Sequence, residues 1–144
     1  MRSEIHNSIY PKRGYSPAGV QTNTDTAIVS QIVDTAGYNS VEYIILTGVN
    51  TDADATFTAL VEDGDNASLT DNAAVADEFL LGTEALASFT FAGDNKVFKI
   101  GYVGTKRYVR VTITPSGNGA GDILIAGVWI LGHPVNRPTA NPPA

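Results

Sequence analysis

Apolar and polar residues alternate with a period of two along most of this chain, and the alternation is cleanest between Lys96 and Pro134. There, runs rich in Val, Ile, Thr and Tyr cover residues 96–103, 106–114 and 122–131, broken by Gly104-Thr105 and by the Gly-rich stretch 115–119. Runs of this kind bounded by Gly, Pro and Asn predict antiparallel strands joined by turns. Upstream, residues 26–33 alternate weakly and 41–49 strongly. Residues 54–62 set Ala55, Phe57, Ala59 and Val61 against Thr56, Thr58, Leu60 and Glu62. That is the pattern of a half-buried strand, and it closes on a strong turn signal at residues 62–66. Residues 67–82 fit one helical turn or a short bulged strand, and 87–92 alternate Phe89 and Phe91 with Ser88 and Thr90. About eight short strands at this spacing predict an all-β chain, a single antiparallel β-sandwich of jelly-roll type.

Two of the runs say more than "strand". In residues 106–114, Arg107, Val109, Val111 and Ile113 share one face, while Lys106, Tyr108, Arg110, Thr112 and Thr114 share the other. The first is a core face and the second is polar and aromatic. In residues 123–131 both faces are apolar: Ile123, Ile125, Trp129 and Leu131 against Leu124, Ala126, Val128 and Ile130. An antiparallel strand needs only one apolar face for a core, so the second predicts cover by another layer or another subunit. The self-association or partner surface expected from these runs is Tyr102, Lys106, Tyr108, Arg110, Ile125, Trp129 and Leu131.

The ends differ from the middle. Residues 1–24 carry Pro11, Gly14, Pro17 and Gly19 without sustained periodicity, and residues 134–144 hold four of the seven prolines. These predict an extended N-terminal arm and a Pro-rich C-terminal tail flanking a domain at 25–133. Such arms can order on a neighbour, which makes Ile9, Tyr10, Lys12, Arg13, Tyr15 and Arg137 candidate partner contacts.

At 144 residues the chain suffices for one domain with a real core. Its net charge of −6 is segregated. Residues 14–95 contain thirteen acids and no Lys or Arg, whereas residues 96–144 contain six basic residues and Asp122 alone. Either strand pairing folds the two halves together, or an acidic face opposes a basic rim. The acidic total disfavours nucleic-acid binding. No run approaches the ~18 apolar residues that span a bilayer, and no signal peptide is legible, so a protein made in a cytoplasm is expected.

Candidate chemistry is sparse. Without cysteine there is neither a disulfide nor a thiolate site. The two histidines, His6 and His133, lie near the termini, and no Gly-x-Ser-x-Gly elbow accompanies them. Most of the acids, including Asp52, Asp54, Asp63, Asp65, Asp71 and Asp94, fall in turns, which suits solvated residues better than a glycosidase pair. Neither 52–54 nor 63–66 matches an EF-hand calcium loop. The Gly-rich stretch 117–121 precedes no helix, so a hairpin loop is expected there, not a phosphate cradle. No enzyme, metal or cofactor is therefore expected. Tyr102, Tyr108 and Trp129 leave a sugar-stacking surface, and with it a β-sandwich carbohydrate- or receptor-binding module, open as an alternative.

Residues 100–114 (IGYVGTKRYVRVTIT) and 126–134 (AGVWILGHP), with Val41-Glu-Tyr43, residues 59–64 (ALVEDG) and 80–84 (LLGTE), resemble small virion proteins of tailed bacteriophages. The resemblance covers roughly residues 25–134 and is to the capsid cement or decoration type. It implies a β-sandwich or jelly-roll body and a structural role. It also implies a homo-oligomer, dimer or trimer, on the major capsid protein of a phage head, and hence location on the virion surface after synthesis in the bacterial cytoplasm. A tail or head–tail connector component is the related alternative.

Overall fold

The structure, a computed structural model, describes residues 1, 3–17, 21–22 and 24–143. Twelve strands are present among them: β1 (Ile9–Tyr15), β2 (Gln21–Thr22), β3 (Ile28–Val29), β4 (Val33–Asp34), β5 (Tyr38–Asn50), β6 (Thr56–Gly64), β7 (Ala73–Ala74), β8 (Leu80–Leu81), β9 (Phe89–Thr90), β10 (Val97–Tyr102), β11 (Tyr108–Ser116) and β12 (Asp122–Pro134). Only one four-residue helix, α1 (Glu84–Ala87), and three single 3-10 turns interrupt them. The strands form two antiparallel sheets packed face to face. Sheet A runs β1-β12-β5-β10-β8 with β2 also on β12, and sheet B runs β3-β11-β6-β7 with β4 on β11 and β9 on β6.

The predicted sandwich is therefore present, but its strand pairing differs from local expectation. β10, β11 and β12, consecutive in sequence, do not pair with one another. β10 and β12 flank β5 in sheet A, while β11 pairs β6 in sheet B. The Gly-containing connections at 103–107 and 117–121 are thus arches between sheets, where the sequence predicts hairpin turns. The first arch closes over Tyr102, whose hydroxyl accepts from Lys106 N at 3.0 Å and donates to Asp63 Oδ2 at 2.7 Å. A Cβ on Gly104 would fall 2.4 Å from the Tyr102 hydroxyl oxygen, so only glycine lets this chain fold over that ring.

Inward residues of both sheets make one core, with Ile45, Ile123, Trp129 and Leu131 facing Phe57, Val61, Val109 and Val111. Trp129 is 1 % exposed. It pairs across the strands with Tyr43, ring centroids 4.5 Å apart, and its indole N–H donates to the Gln31 carbonyl at 3.0 Å. Gln31 N donates in turn to Gly14 O of β1 at 2.7 Å. The expected strand over 26–33 is consequently split into β3 and β4. Between them the chain leaves the ladder at Gln31 to bond sheet A, while the buried Ser30 hydroxyl accepts from Val111 N at 2.9 Å to hold sheet B.

Three further expectations change. Residues 9–15 are not an arm: they form edge strand β1, in register with β12 from Ile9↔Gly132 to Tyr15↔Gly127. Tyr10 is buried and stacks on Tyr38 with centroids 5.7 Å apart. The tail folds back on this edge, with Thr139 Oγ1 donating to Ile9 O at 2.6 Å and Thr139 N to Asn7 O at 3.2 Å. Residues 2, 18–20 and 23 of the expected arm, and residue 144, lie outside the described residues. Finally, residues 87–92 hold only the two-residue β9, preceded by α1 and followed by a 3-10 turn.

Packing of this kind predicts that Trp129→Ala lowers the unfolding free energy by about 3–5 kcal/mol in denaturant titrations. It also predicts that Trp129 fluorescence is blue-shifted and shielded from an aqueous quencher even in dilute solution. Quencher-accessible Trp129 in the folded chain would contradict it.

Candidate functional site

The two sheets bury similar inward faces but present different outward ones. On sheet B the outward residues of β6 and β11 are Thr56, Thr58, Leu60 and Glu62 beside Arg110, Thr112 and Thr114. That is an ordinary solvated surface. On sheet A the outward residues of β12 are Leu124, Ala126, Val128 and Ile130, and those of β5 include Ile44 and Leu46. Leu46 is 54 % exposed, and Val97 of β10 is 62 % exposed beside it. Opposite Leu124 the register shifts. The bulge gives β5 two residues there, and exposed Val49 widens the apolar surface. An aliphatic sheet face open to water is a candidate contact surface.

This corrects the sequence-derived site. The second apolar face of β12 exists, but Ile125, Trp129 and Leu131 are its core side, each no more than 3 % exposed. They are unavailable to a partner. Tyr102 is buried under the arch as well. A shift of one residue along a strand reverses the face, and the outward set is Leu124, Ala126, Val128 and Ile130. Lys106 and Arg110 are engaged within the chain. Lys106 pairs with Asp65, and Arg110 pairs with its cross-strand neighbour Glu62 at 2.7 Å. Arg107, expected on a core face, is exposed and holds Asp34 with two bonds of 2.8 and 2.9 Å. That guanidinium keeps the Asp34 carboxyl below its usual range. All three pairs join the acidic segment to the basic one, so strand pairing brings the segregated charges together. Of the expected arm contacts, Ile9, Lys12, Arg13 and Tyr15 lie on β1, Tyr10 is internal, and Arg137 is exposed in the tail.

One groove on this side of sheet A, of about 470 Å³, is lined by Glu42, Leu81, Leu86, Val97, Phe98 and Lys99. Another, of about 360 Å³, lies where Pro11, Arg13 and Tyr15 of β1 meet Ala126 and Val128. Two residues of the first groove close over Gly101, where a Cβ would fall 2.7 Å from Glu42 Oε2 and 2.9 Å from Leu81 Cβ. The missing side chain lets the Glu42 carboxylate lie across β10. Burial raises the Glu42 pKa above its ordinary value, partly offset by the Lys99 charge. Neither residue forms an ion pair among the described residues.

Elsewhere the polar groups serve the fold. Asp52 accepts from Asp54 N and Ala120 N, Asp71 from Asp65 N and Asn66 N, and Asp94 from Asn50 N. No group of three or more His, Asp or Glu side chains is placed to hold a metal among the described residues. Sequence reasoning missed one contact: the Ser40 hydroxyl meets His133 Nδ1 at the end of sheet A. His133 is held there in a left-handed conformation, φ +48°. The residues are 93 apart, and only the β5–β12 register joins them. No carboxylate bonds this imidazole among the described residues, so the pair lacks the orienting group of a triad.

The aromatic side chains nominated for sugar stacking are also accounted for. Trp129 and Tyr102 are internal, and the Arg107 guanidinium covers the Tyr108 ring at 5.2 Å.

No family model and no curated protein matches the sequence. Among solved structures, the chain is similar to the xylan-binding module CBM15, at 14 % identity and a TM-score of 0.42 over 94 % of this chain and 97 % of that one. It is also similar to the CBM22-1–GH10 modules of Clostridium thermocellum xylanase 10B complexed with xylohexaose. There the identity is 13 % and the TM-score 0.42, over 94 % of this chain and 28 % of that one. CBM32 of AlyQ in complex with 4,5-unsaturated mannuronic acid gives 15 % and 0.37, over 87 % and 77 %. Two of these neighbours are carbohydrate-binding modules by name, and the xylanase structure carries one beside its GH10 module. Similarity at this level carries no inference about what this chain binds.

The half-buried Glu42 carboxylate gives a signed pH prediction. A carboxyl whose folded pKa is raised destabilises the fold when ionised, and the cost vanishes once both states are protonated. Glu42→Gln is therefore expected to raise Tm at pH 7 in dilute solution. The gain should shrink to nothing below pH about 4. Tm measured against pH for both proteins checks it.

Proposed function

We propose that this is a non-catalytic structural protein that assembles with other protein through the outer face of sheet A. The carrying observation is that face itself: aliphatic across β12, β5 and β10 and open to water, on a body whose other sheet presents threonines and paired charges. A rigid sandwich with one apolar face suits a cement or decoration protein, which contributes contact area and no chemistry. The sequence resemblance to tailed-phage virion proteins supplies the setting, a capsid shell built from the major capsid protein. Many modest contacts repeated over a lattice would make such binding strong.

A carbohydrate-binding role is the second reading, and one feature favours it. The groove at Glu42 and Lys99 combines apolar walls with two polar groups, the composition of a small-ligand site. Against it, no Trp or Tyr among the described residues stands fully exposed on that face, where stacking would anchor a sugar ring, and only the partly buried Tyr15 borders it.

Val128→Asp and Leu46→Asp should leave the fold intact, since both side chains already face water. Either should reduce co-sedimentation with capsid shells assembled without the protein by more than about tenfold, a loss of ~1.4 kcal/mol. Thr58→Asp on sheet B should leave it unchanged. Equal binding by all four proteins would overturn the reading. Saturable retention on xylan or alginate that is lost in Glu42→Ala would favour the carbohydrate role.

A further inference from the structure

We propose that the outer face of sheet A is covered by a second copy of this chain, in a twofold dimer in which Glu42 of each copy pairs with Lys99 of the other. The inference rests on the reading of that face as an assembly surface and names its occupant. Glu42 and Lys99 lie on adjacent strands, β5 and β10, offset by one same-face step, since Gly101 is opposite Glu42 and Lys99 is opposite Ile44. They are charges of opposite sign, side by side in an aliphatic surface; Lys99 acts on Glu42 through its charge, but neither is within ion-pair distance of an opposite charge among the described residues. A twofold axis lying in the interface plane and bisecting their separation carries each carboxylate onto the second copy's ammonium, making two identical pairs at once. Twofold interfaces are self-complementary in this way, whereas a foreign surface would need the same two charges at the same spacing.

Chemistry on the rest of the face agrees. Once water is excluded, a carboxylate and an ammonium must be paired to be tolerated, and the twofold arrangement pairs both while burying the aliphatic rows around them. Growth by strand addition is blocked at the β1 edge. Pro11 has no N–H to donate, Ile9 O is already taken by Thr139, and Gly14 O by Gln31. That removes the β1 edge as a route to association.

Charge reversal tests the pairing. Wild-type protein is expected to be a dimer by light scattering and analytical ultracentrifugation. E42K alone and K99E alone should each raise the dimer Kd by at least about tenfold, with circular dichroism confirming that both stay folded. Mixing the two variants should restore association as a heterodimer, because every cross-copy pair is then opposite in sign, and the double variant E42K/K99E should dimerise by itself. A wild-type monomer at all concentrations would overturn the proposal, as would E42K or K99E dimers of unchanged Kd or a mixture no tighter than its components. The wild-type monomer that still coats capsid shells, and loses that coating in Val128→Asp, would sink the dimer while leaving the assembly reading intact.

Discussion

Every other element is positioned by the central pair of sheet A, where β5 and β12 run antiparallel from Tyr38↔Pro134 to Asn50↔Ile123. At its middle Tyr43 and Trp129 stand opposite each other on the core side. Two large rings in one cross-strand pair bury more apolar area than any other pair in the sheet could, and such pairs are the unit of sheet stabilisation. The Trp129 indole N–H also needs an acceptor once buried, and Gln31 O supplies it. That requirement pulls Gln31 out of the sheet B ladder and splits the strand there in two. One buried donor thus ties sheet B to the edge of sheet A.

The same pair decides which side of β12 is available. With Trp129 inward, period-two alternation forces Leu124, Ala126, Val128 and Ile130 outward, and residues 123–131 offer no polar side chain to put there. The middle of the outer face of sheet A is aliphatic because that stretch of β12 is apolar on both sides. Burial of Glu42 in that surface follows from Gly101, which lets its carboxylate lie flat over β10. Burial there works against the ionised form of this carboxylate, partly offset by the Lys99 charge.

Charge, by contrast, is spent on the fold. The acidic and basic segments of the sequence meet across β4–β11 and β6–β11, in Asp34–Arg107 and Glu62–Arg110, and the Asp65–Lys106 pair closes the same side. The exposed Asp34–Arg107 and Asp65–Lys106 pairs contribute little each, and Glu62–Arg110 is partly buried, but all three draw together segments far apart in the chain. They also consume the Lys106 and Arg110 side chains that by sequence alone looked free to meet a partner.

How much was legible beforehand follows from range. Local alternation determined the strands of residues 38–64 and 97–134, the all-β class, and the surplus apolar face of β12, because a strand's two faces are written in neighbouring residues. The edge strand over 9–15 was hidden, since Pro11 and Gly14 read locally as breakers and only pairing with β12 makes them strand. Which strands pair, and which apolar face of β12 turns inward, depended on contacts between residues about 80 or more positions apart, Tyr43 with Trp129 and Gln31 with Trp129 among them. The sequence by itself determined that one strand would carry an apolar face too many. The tertiary structure decided that this face is Leu124–Ile130, beside Glu42 and Lys99, because only packing could assign the tryptophan to the core.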